Sequence, residues 1–209
     1  MSPPKSKPSK GAQANLFEAA PEPAKTPPND TSPPTGPAYK RQAWVLRKWW
    51  CQAQEKDKGG LAKLRRVNDP LQAASLSAYQ DLLKLLGRHG LSPSEAELPR
   101  WEALAALAAH ARKELHVPIP RALGAKREGS DTALMSELRF RRILAAADDD
   151  VEDLFHNLRR AIDQLDKASH FESLVQAVLH WNAQTRRSWS YDYYGASTPT
   201  QETNPPSNP

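Results

Sequence analysis

Three arginines stand within the four positions Arg139 to Arg142 of the stretch SELRFRRILAA, residues 136–146. Further basic groups recur on separate segments: Arg65 and Arg66 in LAKLRRV, Arg121 with Lys126 and Arg127 in RALGAKRE, and Arg159 and Arg160 in NLRRAI. A guanidinium is a planar fork that donates two parallel hydrogen bonds to phosphate oxygens, so repeated arginines point to a grip on an anionic chain. The competing reading is a solvated surface laced with ion pairs. Arg159 stands four residues before Asp163 and Arg160 three, spacings at which side chains meet on a helix. In the first stretch, Phe140, Ile143, Leu144 and Ala147 fall on one helical face. Arg142 then points nearly opposite, and Arg139 and Arg141 flank the apolar stripe.

Other chemistries lack their residues. The sequence has no glycine-rich phosphate loop, no helical H-E-x-x-H and no Cys/His spacing suited to zinc. The six histidines are scattered, and Ser136 has no evident base partner. Asp148, Asp149 and Asp150 precede an apolar-periodic run, where acids cap a helix rather than hold a pair of metal ions. The expectation is therefore a protein with no catalytic residues, no metal site and no cofactor. The tryptophans and tyrosines could stack bases, but most stand at helical spacing among apolar residues and are expected in the core.

Helices must position these groups. Apolar spacing is helical throughout, and no stretch alternates with period two. Helices are expected over about 40–55, from the NDP start at residues 68–70 to a left-handed cap at Gly87, from Pro99 to about Leu115, and over about 136–147. Another carries the stripe Val151, Leu154, Phe155, Leu158, Ile162 and Leu165, and one or two more close the chain. Gly59-Gly60 is expected to break the first helix, and residues 117–131, with two prolines and two glycines, to form a loop. The resulting expectation is an all-α fold, a single bundle of about seven or eight helices.

Composition sets its limits. Of 19 prolines, ten lie in residues 1–38 and four in residues 195–209, so both ends read as disordered Pro-rich tails around a folded unit at 39–194. The folded unit holds 25 Lys and Arg against 20 Asp and Glu, which places the net charge of +5 on the fold rather than on the tails. With a pI near 9.3, this excess favours an anionic partner. A single cysteine, no run long enough to span a membrane and no signal-peptide core point to a cytoplasmic chain.

Three segments taken in order, RKWWCQAQEKDKGGLAKLRRVNDP, ELRFRRILAAADDDVEDLFHNLRRAI and LVQAVLHWNAQTRRSWSYDYY, resemble CasB, the small subunit of the type I-E CRISPR surveillance complex Cascade. The resemblance covers about residues 40–194. It implies an all-helical, non-catalytic subunit present in two copies, packed against the backbone and large subunits of the assembly. That subunit stabilises the R-loop by contacting the phosphates of the displaced DNA strand; contact with the guide RNA stays open. Matched residue by residue, Arg65 and Arg66 stand in the first L-R-R, Arg121 in R-A-L, Arg139, Arg141 and Arg142 in R-F-R-R, and Arg159 and Arg160 in the second L-R-R. The match does not separate nucleic-acid contacts from contacts within or between subunits. A helical protein–protein scaffold whose arginines bridge acidic neighbours is the alternative. Outside the resemblance, QANLF at residues 13–17 is similar to the pentapeptide by which bacterial proteins bind the replication sliding clamp.

Overall fold

A computed structural model describes residues 33–127 and 129–195. The Pro-rich stretches at 1–32 and 196–209, with QANLF among them, lie outside the described residues. Nine α-helices are present among the described residues: α1 (Ala38–Lys56), α2 (Lys58–Arg65), α3 (Ser77–Arg88), α4 (Leu98–His110), α5 (Ile119–Gly124), α6 (Glu137–Ala145), α7 (Val151–Gln164), α8 (Phe171–Leu179) and α9 (Ala183–Tyr194). None is long and apolar enough to cross a membrane.

The α4 sequence WEALAALAA is apolar on nearly every face, and all nine residues from Trp101 to Ala109 are buried. A helix of that kind must be surrounded. Around it pack α1, α2, α3, α7 and α8, with the 3-10 turn Pro70–Ser75. Its small alanines admit close neighbours. Tryptophans complete the core and donate their indole N–H groups to main-chain carbonyls: Trp49 to Ala78 at 3.0 Å, Trp50 to Ala111 at 3.2 Å and Trp181 to Ala146 at 3.1 Å. Buried aromatic N–H groups need such partners, so these rings are core residues and not stacking platforms.

Several local expectations change. The break after α1 falls at Asp57, whose side chain accepts from Gly60 N at 2.8 Å and caps α2, so Gly59 and Gly60 lie inside α2. Residues 70–88 form a 3-10 turn and then α3, because Leu76 adopts an extended conformation between them. Gly87 stays helical, and the left-handed glycine is Gly90, with φ +67°. The segment expected to be a loop contains α5, since Pro118 precedes it and Pro120 occupies its first turn, where a proline has no hydrogen bond to lose. After α4 ends at His110, Lys113–Glu114 (β1) pairs in parallel with Ala168–Ser169 (β2). Strands of two residues are too short for an alternating pattern to show.

Ser94 and Glu97 form a reciprocal capping box that was not among the expected start signals, while Pro99 stands in the first turn of α4 as expected. Asp150 accepts from Asp153 N at 2.9 Å at the start of α7.

Candidate nucleic-acid interface

Helix α6 is docked by a short apolar set. Phe140 and Ile143 are 0 % and 2 % exposed, and the Phe140 ring stacks on Tyr193 of α9 with centroids 4.0 Å apart. Tyr193 then donates its hydroxyl to the Met135 carbonyl at 2.6 Å, which fixes the chain entering α6. With that face pinned, Arg139 and Arg142 project toward α7. Residues three apart are neighbours on a helix surface, so the two guanidinium groups share a side.

Between α6 and α7 lies a groove of about 590 Å³ lined by Met135, Arg139, Arg142, Ile143, Asn157, Arg160, Asp163 and Gln164. Three of the expected arginines thus converge on one concavity from two helices. Among the described residues, neither Arg139 nor Arg142 has a carboxylate within ion-pair distance. Arg160 donates to Asn157 Oδ1 at 3.3 Å, a neutral partner that leaves its charge uncompensated.

This arrangement changes the roles within R-F-R-R. Arg142, expected nearly opposite the apolar stripe, and Arg139, expected at its edge, line the groove together. Arg141 leaves the set and pairs with Glu137, one turn earlier on α6. The first-turn acid, which also suits the helix dipole, claims the one arginine four residues on.

The two L-R-R motifs divide in the same way. Arg159 donates from Nη1 to the Val67 carbonyl at 2.8 Å and from Nη2 to the Arg65 carbonyl at 3.0 Å, clasping the chain where α2 ends. Arg65 in turn donates from Nε to the Ala109 carbonyl at 2.7 Å, near the end of α4. Burial, with the nearby Arg112 charge second, pulls the Arg65 pKa below the ordinary guanidinium value. The first arginine of each motif is therefore a brace, and the second, Arg66 or Arg160, is exposed. The helical pairing of Arg159 or Arg160 with Asp163 does not form. Asp163 Oδ1 instead meets His110 Nε2 at 3.1 Å. Burial of His110 lowers its pKa, and the Asp163 charge opposes that shift.

The remaining basic residues of the set are partly spent on internal contacts. Arg121 pairs with Asp192 at 3.2 Å and ties α5 to α9. Lys126 pairs with Asp131 at 2.7 Å across a small hairpin closed by a bridge between Lys126 and Ala133. Both groups of that pair are well exposed, so solvent screens it. Arg127 donates to the Leu134 carbonyl at 3.2 Å, an oxygen that also accepts from Gln164 of the groove. The hairpin is thereby fixed to the groove edge, and Arg127 sits beside it.

Asn157 and Gln164 line the groove without having been singled out in the sequence. Their signal was the spacing 157, 160, 164, which puts both amides on the Arg160 face of α7. Arg100 and Arg186 were also missed as structural residues. Arg100 donates to the Val178 carbonyl at 2.7 Å and to the Asp148 carbonyl, and Arg186 to the Ala146 carbonyl at 3.2 Å and to the Asp148 carboxylate. Together they hold the turn that sets α6 against α7.

The family model for the CRISPR-associated protein Cse2 matches residues 60–194, which run from the first turn of α2 to the end of α9. The chain belongs to the Cse2 family. Membership marks it as a small subunit of a CRISPR Cascade complex, in agreement with the CasB resemblance of its motifs. A solved structure of a CRISPR-associated Cse2-family protein from Thermus thermophilus superposes with a TM-score of 0.57 at 22% identity, covering 74% of this chain and 98% of that one. At that identity the likeness concerns the fold, and it agrees with the helical architecture described above. No curated protein matches the chain. Within the Cse2 match lie α6, α7 and the whole arginine groove, whereas α1 precedes it.

Proposed function

We propose that this Cse2 chain is a non-catalytic subunit that stabilises an R-loop in antiviral defence by holding the displaced DNA strand in the α6–α7 groove. One observation carries the reading: Arg139, Arg142 and Arg160 meet in one groove, and none of them is in ion-pair contact with a carboxylate among the described residues. Arg66 and Arg127 extend the cationic surface, and Arg65, Arg121, Lys126, Arg141 and Arg159 support it structurally. Replacing DNA–DNA by RNA–DNA pairs is nearly balanced energetically, so a few phosphate contacts tip the equilibrium toward the open strand. Such contacts position a strand without reading its sequence. The partners in this reading are the backbone and large subunits, a second copy of the chain and the displaced strand, assembled in the cytoplasm.

The test is Arg139→Gln, Arg142→Gln and Arg160→Gln together, in the assembled complex, with target-DNA affinity measured against salt. Three lost single-strand phosphate contacts lower the log–log salt slope by about 2. An unchanged slope with intact assembly overturns the reading. A second reading, a helical scaffold without nucleic-acid contact, is favoured by the many arginines spent on carbonyls and carboxylates. It predicts that the triple variant drops out of the complex.

A further inference from the structure

The two ends of the groove's α7 wall differ in charge. At one end Asn157 donates from Nδ2 to Asp153 Oδ2 at 3.0 Å. Asp153 shares the first turn of α7 with Glu152, and Asp150 caps that turn. The helix end offsets only about half of one negative charge there. At the other end Gln164 closes α7, and the chain turns back through Asp166 and Lys167, whose φ angles of +53° and +58° are left-handed. That turn sets the Lys167 carbonyl to accept from Arg112 N at 2.6 Å and from Lys113 N at 3.3 Å, beside the β1–β2 pairing. Arg112 and Lys167 are therefore neighbours. Both lie close to the groove, because Asp163 of its wall meets His110, the last residue of α4 and two positions before Arg112.

The two carboxylates of this α7 end already have partners: Asp163 has His110 at 3.1 Å, and Asp166 has Lys113 Nζ at 2.6 Å. Among the described residues, neither Arg112 nor Lys167 is in ion-pair contact with a carboxylate. Arg65 and Arg159 add their charges from the same junction, where Arg65 is bound to the end of α4 and Arg159 to the end of α2. The C-terminal ends of α2, α4 and α7 offset about half a charge each, against four cations. The excess acts on its neighbours. Burial is the main cause that lowers the His110 pKa, and the Arg159 and Lys167 charges push it the same way.

We propose that a single strand seated in the groove leaves it at the C-terminal end of α7, where Arg112 and Lys167 hold its next phosphates. This exit site rests on the groove reading given above. From Asn157 to Gln164 the wall runs about 10 Å, so a strand of more than a few nucleotides must continue past one end. Carboxylates repel its phosphates at the start of α7, whereas unpaired cations attract them past Gln164. An acidic peptide would answer the same charges, but these cations adjoin a site already read as a strand seat, and that continuity favours the strand. Neither side chain needs to meet a base, so the exit is indifferent to sequence.

The test uses the full chain with fluorescent single strands of about four and about twelve nucleotides, the shorter for the groove alone and the longer for groove and exit. Binding is measured against salt. Arg112→Gln with Lys167→Gln is expected to lower the log–log salt slope of the longer strand by about 1.4, two phosphate contacts' worth, and to leave the shorter strand unchanged. Arg112→Lys with Lys167→Arg keeps both cations and should keep the slope. The groove triple variant lowers the slope for both lengths. Circular dichroism of each variant confirms the helical fold. An unaltered slope for the longer strand in the Arg112/Lys167 glutamine variant, beside a groove variant that loses binding, overturns the exit and spares the groove. Loss of assembly into the complex with that unaltered slope makes the pair a protein contact, and overturns the exit as well. A loss equal for both lengths also overturns it, since the pair would then belong to the groove's own footprint. No effect of the groove variant on either strand overturns the groove reading and the exit with it.

Discussion

Arg159→Met is the sharpest perturbation, because it separates bracing arginines from binding ones. The native side chain makes two charge-assisted hydrogen bonds, to the carbonyls of Val67 at 2.8 Å and Arg65 at 3.0 Å. Hydrogen bonds to a charged group contribute about 1.5–3 kcal/mol each. The site is half-buried, so water reaches part of it, and the low end of that range applies. The loss is then about 3 kcal/mol, while methionine keeps much of the aliphatic packing along α7. For a folded unit of this size that lowers Tm by about 6–12 °C.

Urea denaturation measures it directly, as a fall in the midpoint at unchanged slope. Arg160→Gln is the internal control. It removes an exposed side chain whose single hydrogen bond, to Asn157, lies on its own helix. Its expected cost is within about 0.5 kcal/mol. Adjacent residues of one motif thus give opposite outcomes: the first changes stability, and the second changes the salt dependence of DNA binding. Equal stability effects from the two substitutions would refute the carbonyl clasp. Arg65→Met extends the test, since Arg65 braces α4 from the segment that Arg159 holds. Residues sharing a network are non-additive, and a coupling of at least about 0.5 kcal/mol is expected in the double variant.

Gly124→Ala tests the approach of α5 to α9. A Cβ there would stand 1.9 Å from the Tyr193 carbonyl oxygen, so the helices must separate, at a cost of about 3 kcal/mol or more in the same denaturation assay. Glu102→Gln tests a buried carboxyl that burial, with the Asp69 charge second, holds above the usual carboxylate range. A raised folded pKa gives stability that is fully present below the unfolded value and lost as pH rises through the folded one. The glutamine variant should therefore match the native chain in acid and exceed its stability at neutral pH, as read by thermal denaturation at several pH values. A margin that did not vary with pH would refute that assignment.

How much of this was legible in the sequence depends on the range of the interaction. Local chemistry could be read: Asp150 caps α7, Pro99 stands in the first turn of α4, and Phe140 and Ile143 bury one side of α6. The motif resemblance gave the family. Partners of the arginines could not be read, because they come from distant segments. Arg159 binds carbonyls more than ninety residues away, and main-chain carbonyls carry no signature in the sequence. Asp163 was a plausible helical partner for Arg159 and Arg160, yet His110, 53 residues earlier, occupies it. The missed α5 has another cause: its prolines and glycine suggested a loop, but six residues suffice for a helix whose prolines sit at its start.

The division within the arginines follows from one physical rule. A guanidinium that reaches a carbonyl or carboxylate of its own chain is held, and its charge and donors are partly used. Arg159, Arg65 and Arg121 are in that state. A guanidinium that lines a groove without reaching a carbonyl or carboxylate of its own chain keeps a charge that an incoming phosphate can neutralise; the one carboxylate lining this groove, Asp163, is turned to His110. Arg139 and Arg142 are in that state, with Arg160 facing them. The braces are not incidental to the binding surface. Arg100 and Arg186 fix the turn between α6 and α7, Arg159 fixes α7 against α2, and Tyr193 fixes the entry to α6. Free arginines on a mobile surface would lose affinity to the entropy of ordering them on every encounter. On helices clamped at both ends, backbone positions are set in advance, and only side-chain rotamers remain to be ordered. Substituting a brace should therefore weaken strand binding as well, in proportion to lost stability and without the change in salt slope that marks a lost phosphate contact.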